Sequence, residues 1–168
     1  MTTDTGQVQV PATYELRRRD PKELYVAVVY AQWNADITVP LKDGAVQAFA
    51  AAGIPEAHIV EVAVPGAFEL TYAAAKLLHG VRKYDAVVVL GCVIRGETSH
   101  YDCICNAVTQ GITSLNLLHT TPVLFGLVTT ENKQQAIDRS GGKYGNKGTE
   151  AAISALEMID VSCFLSEK

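Results

Sequence analysis

The chain has 168 residues, enough for one domain with a real core, and nearly half of them are apolar. A formal charge of −4 argues against nucleic acid or an anionic membrane as the main partner, while leaving room for an anionic small molecule met by local basic groups. The four cysteines, Cys92, Cys103, Cys105 and Cys163, make no CxxC pair and no Cys/His metal grouping; they read as free thiols of a reducing, cytoplasmic compartment. Along the chain, "MTTDTGQVQVPATYELRRRD" comes first and lacks an apolar signal core, and no later run is long enough to span a membrane. Residues 1–21 are therefore expected to form a flexible arm ahead of a single domain at 22–168.

The first β-branched run, "LYVAVVYA" (24–31), is nearly continuous, as in a strand covered on both faces. Leu41, Ala45, Ala48, Phe49 and Ala52 then share one face of a helix over 38–52, with Gly53 as its stop. A second strand, "HIVEVAV" (58–64), carries Glu61 inside its apolar pattern and belongs at a sheet edge. "GAFELTYAAAKLLHG" (66–80) is helical. "DAVVVLGCVI" (85–94) is a third strand, and Tyr101, Ile104, Cys105, Val108, Ile112, Leu115 and Leu118 give a helix over 101–119. The fourth strand is "TPVLFGLVTT" (121–130), and "TEAAISALEMIDVSCFL" closes the chain as a helix. Strict alternation of strand and helix predicts a doubly wound α/β layer structure with a mainly parallel sheet. Ligands of such sheets bind beyond the carboxyl ends of the strands, so the residues after each apolar run carry the functional information.

After the first strand, Trp33 is the only tryptophan and falls where a core residue would be wasted. Its indole either stacks on a heteroaromatic ring, with Asn34 bonding the ring's edge, or plugs a sheet end or subunit contact. No Gly-rich phosphate loop follows this strand, unlike a flavodoxin-type cofactor site. After the second strand, "VPGAFEL" turns into a helix whose first amides are free donors, and Glu69 either complements the helix end or accepts from a polyol. After the third, "RGETSH" offers Gly96 for close backbone approach, a helix N-terminus and Thr98 for a phosphate, and His100 for proton transfer. Glu97 suits a phosphate only through its backbone N–H, and Ser99 also fits an ordinary N-cap. Phe125 lies inside the fourth strand, as core or as part of a ring-binding wall. Beyond it, Arg139, Lys143 and Lys147 occur in a Gly-rich segment that cannot be one helix, and Arg139 suits bidentate phosphate recognition.

"AQWNADIT", "VPGAFEL", "GCVIRGETSHYD", "FGLVTT" and "DRSGGKYGNKGTEAA" occur in an order and at spacings that resemble the lumazine synthase family across roughly residues 22–160. The resemblance implies a three-layer α/β/α fold with a four-stranded, mainly parallel, flavodoxin-like sheet. It implies a transferase of riboflavin biosynthesis that condenses 5-amino-6-(ribitylamino)uracil with 3,4-dihydroxy-2-butanone 4-phosphate, with no cofactor and no metal. Trp33 and Asn34 would then meet the ring, and Ala67, Phe68 and Glu69 the ribityl chain. Cys92, Val93 and Ile94 would line the ring pocket through backbone groups. Glu97, Thr98 and Arg139 would hold the phosphate, and His100 would move protons with Asp138 as helper. Phe125, Arg139 and Lys147 would come from a neighbouring subunit. The same resemblance implies a pentamer and a 60-mer shell of pentamers, the short 139–148 loop matching shell-forming members, and adds riboflavin synthase as a candidate partner. Trp33 stands where many members carry Phe, and Asp138 where Glu is frequent; the larger ring leads to the expectation of tighter lumazine or flavin retention.

Two rival classes have different marks. A phosphoacceptor signalling module needs a nucleophilic Asp at a central strand end and an acidic metal pocket, and "GCVI" supplies neither. A noncatalytic flavin-binding or shell-forming protein on the same scaffold would lack His100 or Arg139, and both are present.

Overall fold

Side chains stiff at χ1 and buried on both faces favour extended backbone, and the apolar runs become the strands of one sheet. The computed structural model describes residues 13–168. β1 (Val26–Ala31), β2 (Ile59–Val64), β3 (Ala86–Ile94) and β4 (Val123–Thr130) are all parallel, in the order β2-β1-β3-β4. α1 (Ala35–Ala51) and α5 (Lys147–Ser166) cover one face, where Ile37, Leu41, Phe49, Leu156 and Ile159 pack on Val26, Val28, Val88 and Leu90. α2 (Leu70–His79) and α3 (His100–Leu118) cover the other, where Leu70, Ala74, Val108 and Ile112 pack on Ala27, Val29, Val87 and Val89. The fold is thus a flavodoxin-like three-layer α/β/α structure. α4 (Lys133–Arg139) and a short hairpin of β5 (Ser140–Gly142) and β6 (Gly145–Asn146) join β4 to α5.

The pairing places β2 at an edge, and Glu61 there takes an ion pair from Lys42 Nζ at 3.1 Å. Gly53 has φ +92°, the left-handed conformation that ends α1. The chain departs from the sequence reading in four places. α1 begins at Ala35, not residue 38, because Asn34 adopts φ 59° and turns the chain sharply out of β1. α2 begins only at Leu70, after a separate 3-10 turn over Ala67–Glu69. Phe125 is not core: β4 is the second edge strand, and the Phe125 ring is 37% exposed.

The fourth departure concerns the arm. Its first 12 residues lie outside the described ones, but Tyr14 to Arg18 are tied to α5. The buried Asp160 carboxylate accepts from Tyr14 Oη at 2.9 Å and from the Arg17 and Arg18 amides at 2.9 and 3.1 Å. Burial and the Asp160 carboxylate together push the Tyr14 phenol above its ordinary pKa. Among the described residues, no helix is long and apolar enough to cross a membrane.

Candidate active site

The sheet's ladder continues for two bonds past its strands. Gln32 N donates to Val64 O at 2.8 Å and Trp33 N to Pro65 O at 3.1 Å, which fixes Trp33 beside the turn after β2. The indole lies over Gly66, where a Cβ would come within 2.6 Å of its Cε3 atom; glycine is required by this close approach, not by its dihedral angles. Trp33 remains 65% exposed, its outer face unfilled by the protein. Asn34, strained into the left-handed region, is held by its own side chain, whose Nδ2 donates to Cys92 O at 3.1 Å. That bond ties the end of β1 to the end of β3.

Glu69 turns back on its own turn. Its Oε2 accepts from Gly66 N at 2.9 Å, closing the loop after β2 and leaving the other carboxylate oxygen for a ligand. Cys92 is buried at the end of β3, and burial, with Asp36 adding to it, pushes its thiol up to about 11. A neutral thiol of this kind is a wall and not a nucleophile. Ser99 occupies the N-cap position of α3 without a side-chain cap; Thr98 Oγ1 instead lies 3.4 Å from the His100 amide. Gly96 has open space around a would-be Cβ and no left-handed φ, so nothing within the chain demands glycine there. Arg95 belongs to the scaffold: it pairs with Asp102 at 3.0 Å and Glu131 at 3.0 Å, lies over the Tyr101 ring, and holds the Asp102 carboxyl below its ordinary pKa.

These pieces converge. Trp33, Asn34, Ala67, Phe68, Glu69, Cys92, Val93, Ile94 and His100, joined by Ile104 of α3, line one cleft of 400 Å³ beyond the carboxyl ends of β1, β2 and β3. The size and the apolar floor with a few polar groups suit a small heteroaromatic ligand. Glu97 and Thr98 sit on the exposed loop just before α3. Six sequence candidates do not line the cleft: Glu97 and Thr98 of that loop, and four further along the chain, Phe125, Asp138, Arg139 and Lys147.

Those four belong to β4, α4 and the start of α5. Arg139 Nη2 donates to Glu150 Oε2 at 2.8 Å, and its Nη1 donates to Tyr144 O. Lys147 Nζ meets the same Glu150 oxygen at 3.3 Å. Asp138 Oδ1 accepts from Gln134 Nε2 at 2.9 Å. Glu150, whose side chain is largely buried, thus aligns both basic groups, and the sequence reading missed it. The available signal was its i+3 spacing from Lys147 on a helix. Spacing alone assigns Ile104 to α3's apolar stripe, and only the fold turns it to the cleft.

A flavodoxin-like sheet with a cleft at the strand ends, lined by aromatic side chains and by a histidine at a helix start, defines a small-molecule site of the α/β class. The comparisons name the family. Residues 23–162 match the family described as 6,7-dimethyl-8-ribityllumazine synthase. A protein of that name from Parabacteroides distasonis is 48% identical over 143 residues, covering 85% of this chain and 89% of the relative. Those from Cytophaga hutchinsonii and Porphyromonas gingivalis are 55% and 50% identical, covering 79% and 82% of this chain and 82% and 84% of the relatives. The chain belongs to the 6,7-dimethyl-8-ribityllumazine synthase family of riboflavin-biosynthesis enzymes.

Proposed function

We propose that the protein condenses 5-amino-6-(ribitylamino)uracil with 3,4-dihydroxy-2-butanone 4-phosphate to give 6,7-dimethyl-8-ribityllumazine, inorganic phosphate and water. The observation that carries this reading is the single cleft formed by Trp33, Asn34, Ala67–Glu69, Cys92–Ile94 and His100, in a chain of this family. The exposed face of Trp33 stacks on the pyrimidine ring, Asn34 Oδ1 and the backbone of 92–94 meet its polar edge, and the free Glu69 oxygen accepts from the ribityl chain. The uracil amine adds to the ketone and water leaves as the imine forms. Phosphate then departs by elimination, and the second amine closes the ring with loss of another water. The balance needs no redox partner and no group carrier.

Amines and ketones react unaided, so most of the acceleration comes from holding the two substrates in register. His100 relays protons at the rim, next to the exposed amides and hydroxyl of Glu97 and Thr98 that receive the phosphate. Arg139 supplies the phosphate's cationic partner, Lys147 reinforces it, Asp138 assists His100, and Phe125 completes the ring wall. These four do not line the cleft of their own protomer, which supports a site shared between neighbouring copies. A pentamer, and a 60-mer shell of twelve pentamers, is the matching assembly, in the cytoplasm and with riboflavin synthase as a partner for the product. The 22–168 stretch acts as one domain.

The test is turnover by the purified protein given both substrates, following lumazine absorbance and phosphate release against the uncatalysed background, with light scattering for the assembly. Arg139→Ala is expected to raise KM for the phosphate substrate about 100-fold, the scale of a lost charge-assisted bidentate contact. His100→Ala is expected to lower kcat by about 10–100-fold without abolishing it. No acceleration from the intact assembly would leave a binding or shell protein.

A further inference from the structure

The "GNKG" segment contains a residue that the reaction above does not use. Asn146 ends the β5–β6 hairpin and stands between Arg139 and Lys147 in the fold as well as next to Lys147 in sequence. Its Oδ1 accepts from the Gly148 and Thr149 amides at 2.8 and 3.2 Å, capping α5. Its Nδ2 donates to the Pro40 carbonyl of α1 at 2.9 Å and reaches the Ser140 carbonyl, the residue after Arg139, at 3.5 Å. One amide group therefore joins α1, the residue following Arg139 and the first turn that carries Lys147.

Two glycines make this join close. A Cβ on Gly44 of α1 would come within 2.7 Å of three Asn146 side-chain atoms, and a Cβ on Gly148 would overlap the Leu41 carbonyl of α1. The hairpin thus sits directly on α1, whose first residue follows Trp33 and Asn34 at the cleft. Capping alone does not require asparagine, since Ser, Thr and Asp cap as well; the donor to Pro40 does.

We propose that Asn146 is a positioning residue, which locks the hairpin bearing Arg139 and Lys147 onto α1 and so sets where these cations meet the phosphate-bearing substrate. The inference rests on the proposed role of Arg139, and the experiment separates the two. Asn146→Ser keeps an α5 cap but cannot reach Pro40. Gly44→Ala, a favourable helix substitution in itself, crowds the Asn146 side chain from the other side. Steady-state kinetics with each substrate varied in turn, circular-dichroism melting and light scattering are measured for both variants beside Arg139→Ala.

The expected result is an assembled protein in which KM for the phosphate substrate rises about tenfold, while KM for the ribitylaminouracil and kcat change by less than about threefold, as for misaligned and not missing contacts. An unchanged phosphate-substrate KM in Asn146→Ser, with Arg139→Ala still defective, overturns the positioning role alone. So does an equal rise in both KM values, which marks general loosening. If Arg139→Ala also leaves that KM unchanged, the phosphate-site reading fails first and takes this inference with it.

Discussion

The cleft at the strand ends and the basic hairpin are made in contrasting ways. The cleft is a backbone construction: its wall is buried β3, its floor is the turn over 66–69, and two ladder-like bonds and one Asn34 bond hold its rim. The hairpin is a side-chain construction, in which Glu150 aligns Arg139 and Lys147 and Asn146 fastens the whole to α1. On the proposed reading the first kind of site recognises a flat ring by shape and by fixed dipoles. The second holds two cations in fixed positions on a largely buried carboxylate, and does so away from the cleft of its own chain. The proposed reaction, which joins a ring to a phosphorylated ketone, calls for both.

The contrast breaks most completely at Gly148. Gly148→Ala drives a methyl into the Leu41 carbonyl at the α1–α5 crossing, and we expect a loss of about 3 kcal/mol or more in urea unfolding. A variant as stable as the parent would mean that the hairpin is not seated as closely as described. Gly96→Ala sharpens the comparison from the other side. Nothing in the chain meets the added methyl, so the melting temperature should hold; on the proposed reading, in which the phosphate approaches this loop's backbone, KM for the phosphate substrate rises about tenfold. A KM equal to the parent's would assign Gly96 no role in binding.

Trp33→Phe removes stacking area from the cleft alone, and flavin or lumazine titrations should show binding weakened by about 3–10-fold. Equal affinities would sink the retention idea. The last effect is titrational and appears only at alkaline pH. The Cys92 thiol is held at about 11 against an ordinary 9.0, so the folded state binds the proton more tightly than the unfolded one. That contribution to stability is whole below pH 9 and is lost as the pH rises towards 11. Cys92→Ala should flatten this alkaline fall in a pH series of denaturation curves, and an unaltered fall would place its cause elsewhere.

Much of this was legible in the residues. The four apolar runs, Glu61 at an edge and Gly53 after α1 are local patterns whose physics is local, and the strand-end rule by itself points to Trp33, Glu69 and His100, which line the cleft. What escaped depended on partners distant in sequence. Asn34 looked like a ring-binding amide and spends its Nδ2 on Cys92 O, a contact 58 positions away. Ser99 looked like the cap of α3 and makes no side-chain cap. Phe125 looked like core because its strand is apolar, and edge position is a property of the sheet and not of the strand. Asp160, alone among the apolar residues of α5's buried face, read as nothing in particular until Tyr14 and two arm amides were found around it.

The all-parallel sheet has a consequence for how the molecule is made. Each strand pairing joins positions roughly thirty or more residues apart, as Val26 with Ile59, Val26 with Ala86 and Val87 with Val123, and no tight turn can zip any of them locally. During synthesis β1 must wait for β3 before it is flanked on both sides, and β3 must wait for β4. The nascent chain therefore exposes a fully apolar central strand for most of its elongation, which makes slow folding and dependence on chaperones at high expression the natural companions of this topology.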